Sequence, residues 1–172
     1  MTNDMTPDGV MVRPYDPAAD LDWASAVLDE EFAGRFQARR GVLMDPLAGD
    51  GLVAEASGVR AGLATWLIDR DAREAEIRLL IVVGAARGRG IGSLLLEGAF
   101  LALAAAGCRR AWLVTTNDAI DALAFYQRRG FRLVELRSGA VDLARRAMKP
   151  TIGLVGASGI AIHDELELAR EI

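Results

Sequence analysis

Three β-compatible runs follow one another with almost nothing between them: "LVAEA" (52–56), "GVRAGLATWLID" (58–69) and "EAEIRLLIVV" (74–83), separated only by "SG" and "DRDARE". Connections that short allow only antiparallel neighbours, because a parallel pair needs a crossover of about a dozen residues. The spacing therefore predicts a meander with strands over 52–56, 61–68 and 75–83. The period then changes. Residues 91–106 are rich in Leu and Ala and stop at Gly107, as a helix does, and "AWLVTT" (111–116) reads as a further strand. A strand, a helix packed on the sheet and a second strand form a crossover, so 75–83 and 111–116 should run parallel. The sheet is mixed.

The flanking segments extend this pattern. Residues 1–9 are polar and carry Pro7 and Gly9, which suits a flexible tail before a short strand over 10–13. From Asp20, a candidate N-cap, apolar residues recur at helical intervals through Leu21, Ala24, Val27, Leu28 and Phe32. The Gly- and Pro-punctuated "GRFQARRGVLMDPLAGDG" reads as a short irregular or helical connection. A second helix is expected over 119–129, capped by Asp118 and stopped by Gly130, with "FRLVEL" as the next strand. In the remainder, 141–148 suits a turn or two of helix. "DELELARE" alternates like an edge strand that returns beside 131–136.

A chain of 172 residues suits one domain, here 10–172, with 137–172 as an extension forming a lid or an edge strand. A formal charge of −4, from 24 acidic and 20 basic residues, argues against a broad basic face for nucleic acid. Cys108 is the only cysteine, so no internal disulfide and no Cys/His metal spacing is expected. The N-terminal stretch lacks a secretory pattern, and no apolar run approaches the ~18 residues of a membrane span. The expectation is a cytoplasmic protein without a membrane or metal partner.

"RGRGIGS" (87–93) stands at the mouth of the long helix. The first N–H groups of a helix have no partner within it, and the helix dipole adds positive charge there. Glycines let the backbone approach a ligand closely, and arginines offer planar forks suited to phosphate oxygens. The alternative is a plain exposed turn. A Walker loop needs Gly-Lys-Ser/Thr at its end. A dinucleotide fingerprint needs its glycines on the first strand-to-helix turn. Neither pattern fits.

Arg87-Gly88-Arg89-Gly90-Ile91-Gly92 does resemble the acyl-CoA loop, Gln/Arg-x-x-Gly-x-Gly/Ala, of the GCN5-related N-acetyltransferase (GNAT) superfamily. "NDAIDALAFYQRRGF" (117–131) resembles that family's later motif, an Asn followed by a helix ending in Phe-Tyr-x-x-x-Gly-Phe. The order of elements is similar too. The resemblance covers 61–136 most clearly and implies a mixed, twisted α/β sheet of about six or seven strands flanked by four helices.

The resemblance further implies acetyl-CoA as acyl donor and an amine, on a small molecule or a protein, as acceptor, with direct transfer in a ternary complex. A non-catalytic acyl-CoA binding or sensing module is the alternative. Arg87, Gly88, Arg89, Gly90, Ile91, Gly92 and Ser93 are then expected at the pyrophosphate. Leu80, Ile81 and Val82 are expected to face the pantetheine arm, where a pair of parallel strands separates in relatives, and their N–H groups to polarise the thioester carbonyl. Asn117 is either a pantetheine contact or a turn residue. Tyr126 matches a tyrosine near the sulfur and suits protonation of a departing thiolate; otherwise it is a core aromatic. Glu76 is the side-chain candidate for the base, with a water relay as the other route and a solvent-facing strand residue as the plain reading. Trp66 and Phe36 are candidates for the border of the acceptor pocket. The tail is expected to act as a lid or as a homodimer contact, and His163 as a surface residue.

Overall fold

The computed structural model describes residues 9–172; the tail expected over 1–9 lies, save for Gly9, outside them. β1 (Val10–Pro14) leads into α1 (Pro17–Phe32). That helix begins earlier than Asp20. Asp16 is the cap, accepting from Ala18 N–H at 2.9 Å, and Pro17 occupies the first turn, where a missing N–H costs nothing. Asp20 is instead fully buried, taking hydrogen bonds from Arg13 at 2.7 and 2.8 Å and from Arg60 at 2.8 Å. The Arg13 bond, more than any other influence, holds its carboxyl well below the usual carboxylate range.

The segment expected to be irregular or helical contains a hairpin, β2 (Gln37–Arg39) and β3 (Val42–Met44). Arg40 and Gly41 turn it with φ of 52° and 73°. Two successive left-handed residues match the twist of a two-residue hairpin, a signal that "RRGV" carries through one glycine only. Ser57 and Gly58 do the same, at 52° and 77°, between β4 (Asp50–Ala56) and β5 (Val59–Asp69). The Asp69 carboxylate then holds the turn into β6 (Glu74–Val82) by accepting from Asp71 and Ala72 N–H.

α2 (Ile91–Ala105) crosses over to β7 (Arg110–Thr116), followed by α3 (Ile120–Arg128), β8 (Arg132–Arg137), α4 (Ala140–Ala147) and β9 (Glu165–Glu171). α3 has no side-chain cap. Asp118 is turned away from it and accepts a hydrogen bond from the Thr116 hydroxyl. Seven strands form one sheet in the order β1-β4-β5-β6-β7-β9-β8, with β6 and β7 parallel as the crossover required. β9 pairs with β8, yet it is an interior strand: it lies between β7 and β8, which leaves β8 at the edge. Sequence alternation specifies which face each residue of a strand takes and says nothing of its neighbours on both sides.

Alternation also sorts the two faces. Ala54 and Ala64 point to a core shared with Leu95, Ala99 and Leu103 of α2, while Val53 and Leu63 join Ala24 and Leu28 of α1 on the opposite face. β6 changes sides midway. Thr65 pairs with Leu79 and Trp66 with Ile77, so Arg78 is an extra residue in the ladder. Before this bulge Ala75 and Ile77 face α2; after it Leu79 and Ile81 face α1, and Leu80 and Val82 pack toward α2.

Candidate active site

β6 and β7 share only three rungs, Glu74↔Arg110, Ala75↔Ala111 and Glu76↔Trp112, although both strands continue well past them. Beyond the last rung the parallel strands diverge. A cavity of about 590 Å³ fills the gap, bordered by Ile77 to Leu80 of β6 and Leu113 to Thr116 of β7. Val83 N–H donates to Ala61 O at 2.9 Å, so alternation directs the backbone groups of Ile81 and Leu79 to β5. Those of Leu80 and Val82 face the gap. Of the three residues expected there, Ile81 is turned the other way.

At the far end of β6 a short 3-10 turn (Gly84–Ala86) leads to the glycine loop. Gly88 and Gly90 adopt φ of 79° and 77°, and a Cβ built on either would meet nothing within 4 Å. The amides of Gly88, Arg89, Gly90, Ile91 and Gly92 have no acceptor among the described residues. Open space before a row of free N–H groups at the start of a long helix fits a phosphate-bearing ligand. Arg87 braces the loop from behind, donating to Val82 O at 3.0 Å and to the Glu31 carboxylate at 2.7 Å. Arg89 is exposed and makes no such contact. The Ile91 side chain is buried in the core, and Ser93 accepts a hydrogen bond from Arg129. Arg129 also stacks on Phe125, with its guanidinium carbon 3.6 Å from the ring centre. Nothing in the run "YQRRGF" marks this second cation at the loop.

Tyr126 packs as a core aromatic and stands at the cavity. Its ring packs edge-on against Phe125 and Phe131, and its residue also borders the cavity. The hydroxyl has no hydrogen-bond partner among the described residues. Burial pushes the phenol up to about 12, against a smaller opposing pull from Arg39. It stays protonated throughout the physiological range.

Asn117 and Glu76 are placed otherwise. The Asn117 amide clasps the tail: Nδ2 donates to Ala161 O at 2.8 Å, and Oδ1 accepts from His163 and Asp164 N–H at 2.9 and 3.0 Å. Glu76 accepts from Arg78 at 3.1 Å and opens onto a different, smaller hollow beside Arg40 and Trp112. It does not border the main cavity. Trp66 is buried in the core and Phe36 lies exposed under Arg35, and neither borders the cavity. His163 is exposed and bonds Asp142 at 2.8 Å.

Residues without a sequence signal complete the wall. Arg39, from the unforeseen hairpin, donates to Arg78 O at 2.7 Å. Lys149 reaches Phe32 O, Gly34 O and the Gln37 side chain, at 2.8, 3.4 and 3.2 Å, which ties the tail to the end of α1. Burial lowers its ammonium from the ordinary value, and Arg39 adds repulsion. Glu165 of β9 is buried and accepts from Arg40 N–H with both oxygens at 3.1 Å. Tail residues Thr151, Ile152, Val155 and Gly156 cover one side of the same cavity.

A mixed sheet opened between its parallel strands, with a glycine-rich helix start at one end of the opening, has the architecture of the acyl-CoA N-acyltransferases. Residues 16–131 match the model of the "Acetyltransferase (GNAT) family". The chain is 40% identical over 128 residues, 74% of its length and 77% of the relative's, to YxbD, an uncharacterized protein of Bacillus subtilis (strain 168). Among solved structures it is similar to the IAA acetyltransferase from Bacillus cereus ATCC 14579, with a TM-score of 0.71 at 22% identity over 95% of this chain and 99% of that one. It is also similar to a GNAT family acetyltransferase from Elizabethkingia anophelis with acetyl-CoA bound, with a TM-score of 0.70 at 18% identity over 97% of this chain and 100% of that one. The chain belongs to the acetyltransferase (GNAT) family.

Proposed function

We propose that this protein transfers the acetyl group of acetyl-CoA directly to an amine in a ternary complex. The observation that carries the reading is the divergence of β6 from β7, which opens a cavity beside the backbone groups of Leu80 that β5 does not use. The bound acetyl-CoA of the Elizabethkingia neighbour supports the choice of donor.

In this reading the amides of the 88–92 loop hold the pyrophosphate, with Arg129 adding charge beside Ser93 and Arg87 bracing the loop. Leu80 and Val82 align the pantetheine arm as an added strand would be aligned. Acetyl-CoA supplies an acyl carbon activated by its thioester. A free N–H at the gap stabilises the negative charge that grows on the carbonyl oxygen as the amine attacks. The Tyr126 hydroxyl, protonated and without a protein partner among the described residues, gives its proton to the departing sulfur and recovers one by way of solvent as the attacking nitrogen sheds its own on becoming an amide.

Direct transfer is supported by the wall itself. Among the described residues it contains no cysteine, serine or histidine, and Cys108 is buried elsewhere. Glu76 stands outside the wall and is already paired with Arg78, which favours loss of the acceptor's proton through water. The test is release of free CoA thiol with a panel of amines, with mass spectrometry of both amine and protein. Acetylated amine with unmodified protein is expected. Tight acetyl-CoA binding with no turnover on any amine would instead make the chain a non-catalytic acyl-CoA binder.

A further inference from the structure

Two arginines border the cavity, Arg39 and Arg78, and Arg78 lies within 4.0 Å of a carboxylate oxygen, that of Glu76. Arg39 borders the cavity and has no carboxylate in that range among the described residues. Its single hydrogen bond, to Arg78 O at 2.7 Å, uses one of the five N–H donors a guanidinium carries. Burial penalises its charge more than the more distant Glu76 and Glu165 offset, and most of its N–H donors stay open to a ligand.

The rest of the cavity does not complete it. Lys149, the neighbouring cation, already spends its donors on two carbonyls and the Gln37 amide, and its charge adds to that of Arg39. The carboxylates in the wall are engaged elsewhere: Glu31 with Arg87, Asp118 with Thr116, and Glu165 with Arg40 N–H and, at 3.7 Å, Arg137. Glu30 is exposed at the rim. The loop that suits a pyrophosphate, 88–92, lies outside the cavity wall, so Arg39 does not belong to that phosphate cradle.

We propose that Arg39 receives an anionic group of the acceptor, a carboxylate whose planar oxygens match the guanidinium fork, so that the amine substrate is amino-acid-like. This rests on the transferase reading above and narrows its acceptor to molecules that carry an amine and a carboxylate together. The closed side of the cavity, formed by the 151–156 stretch of the tail, then encloses the acceptor with its carboxylate inward.

The test compares α-amino acids with their primary carboxamides and their decarboxylated amines, and adds ω-amino acids of increasing length, using thiol release by the wild-type protein. The carboxylate form should be preferred by about a hundredfold in kcat/KM, mostly through KM, because a fork left without its partner is penalised. Arg39→Gln should reduce that preference to within about threefold, read as a ratio of carboxylate to carboxamide on the same variant, and Arg39→Lys should restore some of it. Equal or better rates with carboxamides on the wild type would overturn the proposal, whatever the variants do to folding.

Binding separates the two readings. N-acetylated amino acids and their carboxamides are titrated into the wild-type protein and Arg39→Gln in the presence of CoA. A carboxylate preference lost in Arg39→Gln, without turnover on any amine, would keep the Arg39 assignment and sink the transferase. Turnover without a carboxylate preference would do the reverse.

Discussion

Glu76 and Trp112 form the last rung shared by β6 and β7; beyond them the parallel strands separate and the cavity begins. Of that rung, Glu76 opens onto the smaller hollow that Trp112 also lines, while its partner Arg78 borders the main cavity. Glu76→Gln should therefore leave the acidic limb of the rate profile within about twofold of the wild type, since a proton leaving by water does not pass through this carboxylate. A flattened limb in thiol-release assays across pH would return the base to Glu76.

Tyr126→Phe keeps the ring between Phe125 and Phe131 and deletes only the hydroxyl of a residue that borders the cavity. Turnover should fall by about a hundredfold, the usual contribution of a placed general acid, with acetyl-CoA affinity nearly unchanged. Because burial raises the phenol to about 12, its proton is retained as pH rises, and the wild-type rate should show no loss from this group up to about pH 10. Steady-state kinetics beside calorimetric binding checks both points.

At Gly90 an added Cβ meets no protein atom, but the residue holds φ at 77°. Gly90→Val should cost about 1–2 kcal/mol of stability from the left-handed backbone alone. Acetyl-CoA affinity should drop by more than this strain explains, because the side chain enters the space the phosphates need. Thermal unfolding and titration on the same preparation separate the two effects, and unchanged affinity would count against the loop.

Gly156 touches Asp118 so closely that a Cβ there would lie 2.6 Å from the Asp118 carboxyl carbon. Gly156→Ala should push the tail off the cavity at a cost of about 1–3 kcal/mol, as overpacking does. Combining it with Asp118→Ala should recover most of that loss in a double-mutant cycle of unfolding measurements. Simple addition of the two losses would mean the contact is not what holds the tail.

Asp20 is buried between Arg13 and Arg60, and its carboxyl is depressed. A depressed carboxyl stabilises the fold fully above its unfolded value of about 3.9, and the benefit fades as pH falls toward the folded value. Denaturant unfolding should show Asp20→Asn less stable by about 3 kcal/mol at neutral pH, the low end for a broken buried pair because both guanidinia reach solvent. The deficit should shrink once the pH drops below that range.

Much of this protein is legible in its sequence because the relevant interactions are local. Runs separated by only a few residues can only pair antiparallel, and a Leu/Ala stretch ending at Gly107 between two strands can only cross over, so the mixed sheet and its parallel pair followed directly. The free amides before α2 are likewise a property of any helix start. What the sequence left open depends on distant groups meeting. The first-turn carboxylate Asp20 looks like a cap until Arg13 and Arg60, from two strands, enclose it. The "DELELARE" strand shows its alternation but not that it slides between β7 and β8. A one-residue bulge at Arg78 reverses the facing of β6 beyond Ile77, and no local pattern marks it. Arg39 is one arginine among many in the chain, and only the folded hairpin brings it to the cavity wall with no carboxylate within 4.0 Å among the described residues. Periodicity and turn chemistry act over a few residues and can be read in order along the chain. Which charges are left unpaired is a property of the whole folded arrangement, and only the tertiary structure decides it.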